Sequence, residues 1–449
     1  MSTIEKHDMT QGKILLPLVS FTIPLVLGNL FQLTYNAADS VIVGKYVGEQ
    51  ALAAVGTSTP IMNIAILLIS GMCMGASVLM SSQYGAKDYD TLSRQISTTM
   101  LAGCGFSVVF SLLMLLLANP VLRLIRVPET AIPEAAAYLR IIFMGLIFTF
   151  MYNFLANTMR ALGDSKTPLY FLVTSAFLNI FGDLFFVVVL RWGVAGSAIA
   201  TVCSEGLCCL LCGIYIKKKI PLLCLGKKWW VFDKSLLGKT VSYGSTSAMQ
   251  QVCLQLGKLI IQSVVNTQGV AVMAAFTAVN RVDDFAYTPQ QNIGHAMTIF
   301  LAQNKDAGHK ERMKKGFQTG LLIELVYSIG LFCVIWGLAP QIMTLFAEDG
   351  DAQVVSLGIS YLHLISWMYI LPGLTNGVQG FFRGIGDLKV TLYSTFMNMF
   401  GRVVAVFVMI RLLQMEFASL AWANMVGWIV MLLFEVPLLV KSMRNGECG

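Results

Sequence analysis

The chain has 449 residues, of which 56% are hydrophobic and only 12% charged, with a mean hydropathy of +0.71. A soluble protein wets its surface with about 25% charged residues, so this composition excludes a chain whose whole surface meets water. The formal net charge of +7 implies no nucleic-acid partner, because the positive residues sort by loop.

The first 13 residues are polar and carry no cleavable signal pattern, so the first apolar run is expected to stay as an integral span. Apolar runs separated by polar breaks predict twelve helices. They fall near 14–38, 52–82, 94–118, 133–158, 168–190 and 194–216, then 238–264, 271–302, 316–338, 355–380, 388–411 and 417–441. Runs of about 20 residues cross the ~30 Å hydrocarbon core as helices, since the backbone must satisfy its own hydrogen bonds there. With the N-terminus inside, the inside segments hold 22 of the 31 Lys and Arg, and the outside loops only Lys45, Arg123, Arg126, Arg191 and Arg411. The positive-inside rule then predicts both termini in the cytoplasm of a multi-pass protein of the cytoplasmic membrane. Ten cysteines lie in apolar stretches and are expected to pack; no metal site is expected, even at Cys203, Cys208, Cys209 and Cys212 beside Glu205.

The chain repeats itself. Arg160-Ala161-Leu162-Gly163-Asp164 returns as Arg383-Gly384-Ile385-Gly386-Asp387, an offset of 383 − 160 = 223, and Ala198-Ile199-Ala200 returns in register as Ala421-Trp422-Ala423. Earlier in each half, Val19-Ser20-Phe21 matches Val241-Ser242-Tyr243, and Gly75…Gln83 matches Gly294…Gln303. The fold class is therefore an all-α polytopic membrane protein of twelve transmembrane helices in two six-helix bundles. Residues 1–216 form an N-terminal lobe, 217–239 a Lys-rich cytoplasmic linker, and 240–449 a C-terminal lobe. Parallel repeats of this kind are a transporter architecture.

Ionisable groups inside spans are costly and mark function by default. Helix 1 carries Pro24, which predicts a kink because proline removes a backbone donor, and Asp39 near its outer end. Helix 5 carries Asn179 and Asp183, four residues apart and so on one face; together they make a candidate proton or cation site. At the repeat offset Asn179 maps to Arg402 and Asp183 to Val406, which places ion coupling in the N-terminal half. Lys258, Arg281, Asp283 and Asp284 lie in helices 7 and 8, where they either pair with one another or supply a cavity acid. Glu205, Glu324, His295, His363 and Glu435 stand alone and take no assigned role.

At these residues the sequence resembles the multidrug and toxic compound extrusion (MATE) family. The likeness runs through Pro24…Asn36-Ala37-Ala38-Asp39, Leu178-Asn179…Asp183, the repeated Arg-x-x-Gly-Asp loops, and Gly193-Val194-Ala195-Gly196 leading to Thr201. The resemblance implies an N-lobe cation network on Asp39, Tyr138, Asn153, Asn179, Asp183 and Thr201, with Asn157 as a substitute for Asn153. It implies the DinF-like branch, since Met249-Gln250-Gln251 and Pro372-Gly373-Leu374-Thr375-Asn376 lack the acids of the NorM-like branch. Leu184 departs from the family, in which proline often follows the helix-5 aspartate. The implied activity is antiport: protons or sodium ions enter and organic cations leave, with no enzyme chemistry, no cofactor, and a monomer sufficient. The alternatives are a lipid-linked oligosaccharide flippase of the same superfamily and an intramembrane enzyme. The first wants more cavity cations, and the second a motif such as HExxH, GxSxG or DDxxD, none of which occurs.

Overall fold

Apolar runs too long for a soluble core become helices throughout the computed structural model, which describes residues 8–125, 127–129, 131–220, 230–346, 352–415, 417 and 419–444. The first half comprises α1 (Leu15–Tyr46), α2 (Glu49–Gly85), α3 (Tyr89–Leu124), α4 (Ile132–Met144), α5 (Leu146–Ala161), α6 (Lys166–Asp183) and α7 (Gly193–Lys219). The second half repeats the series as α8 (Lys234–Val265), α9 (Val270–Asp306), α10 (Lys310–Phe346), α11 (Ala352–Ser366), α12 (Ile370–Gly384), α13 (Leu388–Val406) and α14 (Ser419–Arg444).

Fourteen helices make the twelve expected crossings, because two spans are broken. The span expected near 133–158 bends by 46° between α4 and α5, at Gly145, where any side chain would run into Val202. The span expected near 355–380 tightens into a 3₁₀ turn, Trp367–Tyr369, between α11 and α12. Among the described residues nine helices, and a tenth counting the bent pair, are long and apolar enough to cross a membrane. The other two, α8 and α9, have the length, 32 and 37 residues, but hold the charged residues Lys258, Arg281, Asp283 and Asp284.

The repeat is written into the backbone. Gly163 and Gly386, 223 apart, both take φ 88° in the Arg-x-x-Gly-Asp loops, a left-handed conformation that favours glycine. Just after α6 and α13 the chain widens into π turns, Leu184–Val189 and Phe407–Leu412. Leu190 and Leu413 close these with bonds of 2.9 Å to the Phe185 and Val408 carbonyls. So Leu184, read from the sequence as a departure from the family pattern, opens a π turn. Pro24 sits inside α1, which continues as one helix through it.

The chain divides into two compact units: Met1–Asp8 with Ile23–Ala248, and Met9–Thr22 with Met249–Gly449. Each takes in the leading segment of the other half. In unit 1, Gly71 and Gly75 on α2 leave room for the α8 backbone at Ala248 and Tyr243, the close approach that small residues allow between membrane helices. Arg94 on α3 donates to Asp233 Oδ2 at 2.5 Å, and the Ser97 and Thr98 hydroxyls bond the Val231 and Asp233 backbone. Asp233 caps α8 through the Ser235 and Leu236 amides. The Leu236 amide, helped by Ser235 and Arg94, holds its carboxyl below the usual carboxylate range. In unit 2 the strap is the N-terminal segment. Arg312 on α10 donates to the carbonyls of Met9, Gln11 and Gly12 at 2.6–3.2 Å, and Met9 N–H donates to Gln303. Of the expected linker, 217–219 end α7, 234–239 open α8, and 221–229 lie outside the described residues, as do Lys6 and Arg126.

Candidate functional site

Unit 1 gathers a polar cluster inside its apolar walls. Asp183, the last residue of α6, is fully buried, and neither of its carboxylate oxygens meets a hydrogen-bond donor. Its carboxyl lies against that of Asp39 on α1. Asp39 accepts a 2.7 Å bond from Ser197 Oγ on α7. One turn before Asp183, the Asn179 amide donates to Thr201 Oγ1 at 3.2 Å, and its own Oδ1 is buried without a partner. Tyr138 on α4 is buried, its hydroxyl 3.9 Å from Met62 Sδ, close enough to feel the charges of Asp39, Asp183 and Glu205.

The structure thus brings Asp39, Asp183, Asn179, Thr201 and Tyr138 to one place. Asn153 and Asn157 are differently engaged: their amide nitrogens bond back along α5, to the Thr149 and Asn153 carbonyls, both at 2.9 Å. Four residues missed in the sequence join the cluster. Glu205 accepts a 2.5 Å bond from Thr149, Ser197 holds Asp39, and Tyr35 lies near both Glu205 and Asp39. A signal for them exists. Ser197, Thr201 and Glu205 recur every fourth residue along α7, and Tyr35 and Asp39 are likewise four apart on α1, so each set shares one helix face.

In unit 2 the charges separate. Lys258 pairs with Asp284 at 3.1 Å on an exposed face. Asp283 points the other way, fully enclosed, and accepts from Tyr361 at 2.8 Å and Tyr369 at 2.5 Å. Asn424 donates to the Tyr361 hydroxyl at 2.9 Å, and the Arg402 charge is felt at Asp283. Gln250 donates to Gln379 and Thr395 at 3.1 and 2.9 Å. Cys208 and Cys212 are buried in unit 1, and Cys203 is exposed.

A membrane bundle repeated twice, with carboxyls buried among amides and hydroxyls, is the architecture of a membrane transporter. Comparison with known proteins makes the class specific. The family model described as MatE matches residues 24–185 and 247–409, the two repeat halves in turn. The chain is 32% identical over 392 residues to the probable multidrug resistance protein YpnP of Bacillus subtilis, covering 87% of this chain and 86% of that one. It is 19% identical over 383 residues to the multidrug export protein MepA of Staphylococcus saprophyticus, covering 85% and 83%. Among solved structures it resembles an outward-facing multidrug resistance MATE family transporter of the MOP superfamily, with a TM-score of 0.90 at 22% identity over 99% and 98% of the two chains. A MOP superfamily transporter from Pyrococcus furiosus fits with a TM-score of 0.91 at 21% identity over 99% of each. The chain belongs to the MatE family of multi-pass membrane transporters.

Proposed function

We propose that this chain exports organic cations and drugs from the cytoplasm, driven by protons or sodium ions moving inward. The observation that carries the reading is the Asp39–Asp183 contact. Two carboxylates side by side in low dielectric need a positive charge between them, and a proton or a sodium ion supplies it. The Asn179 Oδ1 and the Thr201 and Ser197 hydroxyls offer further oxygens to either ion. The relatives named as multidrug resistance and multidrug export proteins support drugs as the substrates. One elementary charge moving across 100 mV is worth ~2.3 kcal/mol, enough for roughly a fortyfold substrate gradient at ~1.4 kcal/mol per decade. α1 carries Asp39 in unit 1 and contributes its first residues to unit 2, with Pro24 at the change. That path can turn ion uptake into a movement of α1. Both halves lie in one chain, so a monomer suffices.

The test is efflux of ethidium from cells expressing wild type, Asp39→Asn or Asp183→Asn at equal levels, with the proton or the sodium gradient collapsed. Wild type is expected to export the dye and both variants to fail, the sensitive gradient naming the ion. Normal export by both variants overturns the coupling site. No export by wild type overturns the substrate class and favours a flippase or a narrow exporter.

A further inference from the structure

A second buried acid, in unit 2, is built for a charge it does not find among its neighbours. Glu324 faces inward from α10 with 1% of its surface exposed, and neither carboxylate oxygen has a hydrogen-bond partner among the described residues. Around it stand Gln290 on α9, Ser328 one turn along α10, the Tyr369 carbonyl ending the 3₁₀ turn, and Gly373 on α12. A methyl carbon placed on Gly373 would lie 2.9 Å from Ser328 Oγ, 3.2 Å from Gln290 Nε2 and 3.3 Å from Glu324 Oε2. The three polar groups therefore converge on one bare stretch of backbone.

The donors there are already spent. Gln290 Nε2 donates to the Tyr369 carbonyl at 2.8 Å and to Ser328 Oγ at 3.1 Å. A carbonyl only accepts, so the amide nitrogen must face it, which leaves Gln290 Oε1 buried and unpartnered. The Ser328 hydroxyl gives its hydrogen to the Glu324 carbonyl at 2.7 Å or the Tyr369 carbonyl at 3.3 Å. Only acceptors remain, and one of them is a carboxylate. A buried carboxylate without a counter-charge is strongly disfavoured. Free oxygen acceptors suit a hard cation or a proton.

The repeat shows that packing did not require an acid. With α3 laid on α10 at an offset of 310 − 89 = 221, Leu92, Ile96 and Ser107 fall on Met313, Phe317 and Ser328, all six buried. Gly103 then falls on Glu324. On the facing helix Phe150 falls on Gly373 at the offset of 223. In unit 1 the Phe150 ring fills the space over Gly103. In unit 2 the large residue has moved to the other helix and become an acid, and the glycine has moved to face it. Volume is kept and polarity reversed.

We infer that Glu324, Gln290 and Ser328, closed by the Tyr369 carbonyl and Gly373, form a second monovalent-cation site, for a proton or a sodium ion. It stands on its own geometry, whether or not Asp39 and Asp183 couple transport. The test uses the purified full-length chain with Asp39→Asn and Asp183→Asn, which removes the paired acids of unit 1 and leaves Glu205 and the buried Asp283 and Glu435 alike in every sample. Radioactive sodium binding and the infrared band of protonated carboxyl groups are then followed across neutral pH, with and without Glu324→Gln. One saturable sodium site, or one carboxyl band that rises and falls with pH, is expected with Glu324 present and absent in Glu324→Gln, whatever bands Glu205, Asp283 and Glu435 add to both samples. Sodium that bleaches the band identifies sodium as occupant; a band moved by pH alone identifies the proton. Gly373→Ala, which keeps the acid, is expected to weaken binding or shift the band's midpoint by about tenfold, ~1.4 kcal/mol. Signals unchanged by Glu324→Gln, or a Glu324 band fixed at every pH and sodium level, overturn the site.

Discussion

The two units share a scaffold and differ in where they keep their acids. At the offset of 223, Tyr138 and Thr201 of unit 1 answer to Tyr361 and Asn424 of unit 2, and these hold places in polar clusters on both sides. Asn179 and Asp183 answer to Arg402 and Val406. Unit 2 thus lacks the α6-type acid and holds a cation there instead, and its buried acids sit on α9, α10 and α14, as Asp283, Glu324 and Glu435. Asp283 is met by two tyrosine hydroxyls, whereas Asp183 meets another carboxyl. A duplicated bundle can therefore keep its backbone while its two copies meet a buried carboxylate differently, one with a second carboxyl and the other with hydroxyls.

Substitution can break that contrast. The largest effect is expected from Asp183→Asn, which should abolish gradient-driven dye efflux, while Asp283→Asn should lose less than about tenfold, a ~1.4 kcal/mol effect. Equal losses at equal expression would mean that both units carry coupling. Next, Gly103→Ala drives a methyl into the Phe150 ring and should cost ~1–3 kcal/mol as overpacking. Thermal unfolding in detergent would show it, and Phe150→Leu in the same chain should recover most of the loss; strict additivity would contradict the contact. Gly163→Ala and Gly386→Ala force the left-handed backbone on a residue with a side chain, at ~1–2 kcal/mol each. Their Tm losses should match, and a clear inequality would show that the repeat is not equally strained.

The smallest effect is a pH dependence. Asp233 is held below its ordinary range in the fold. Its stabilisation is therefore present above the unfolded carboxylate pKa and lost as pH falls through the folded one. Wild type should lose part of its Tm on the acid limb, and Asp233→Asn should lack that component. Parallel curves would show that the Arg94–Asp233 contact adds nothing.

The fold was largely legible because twenty apolar residues in a row have few other solutions. α8 and α9 were harder, being less apolar, and emerged through the spacing of polar breaks. The breaks within spans were hidden: nothing in the composition marks the bend at Gly145 or the 3₁₀ turn at Trp367, which depend on what packs opposite. The π turns were equally silent, since Leu184–Val189 and Phe407–Leu412 are ordinary apolar sequence. Asp39, Asn179 and Asp183 stood out as polar groups in apolar helices. Glu205 and Glu324 stood out too, yet they carry meaning only through Thr149, and through Gln290 and Gly373, on other helices. Spacing along one helix could have flagged Glu205; no single-helix pattern could have shown that Gly373 faces Glu324.

The strap at the N-terminus sets an order of assembly. Met9 bonds to Gln303, Asn304 and Arg312, contacts spanning 294, 295 and 303 residues of chain. At ~5–20 residues per second of synthesis, those partners leave the ribosome tens of seconds after Met9 does. Residues 9–22, including the first turns of α1, must wait through that interval beside a unit that is not theirs. The earliest-made part of the described chain is thus among the last to reach its place, and a protein truncated before α10 would leave its own beginning without a dock.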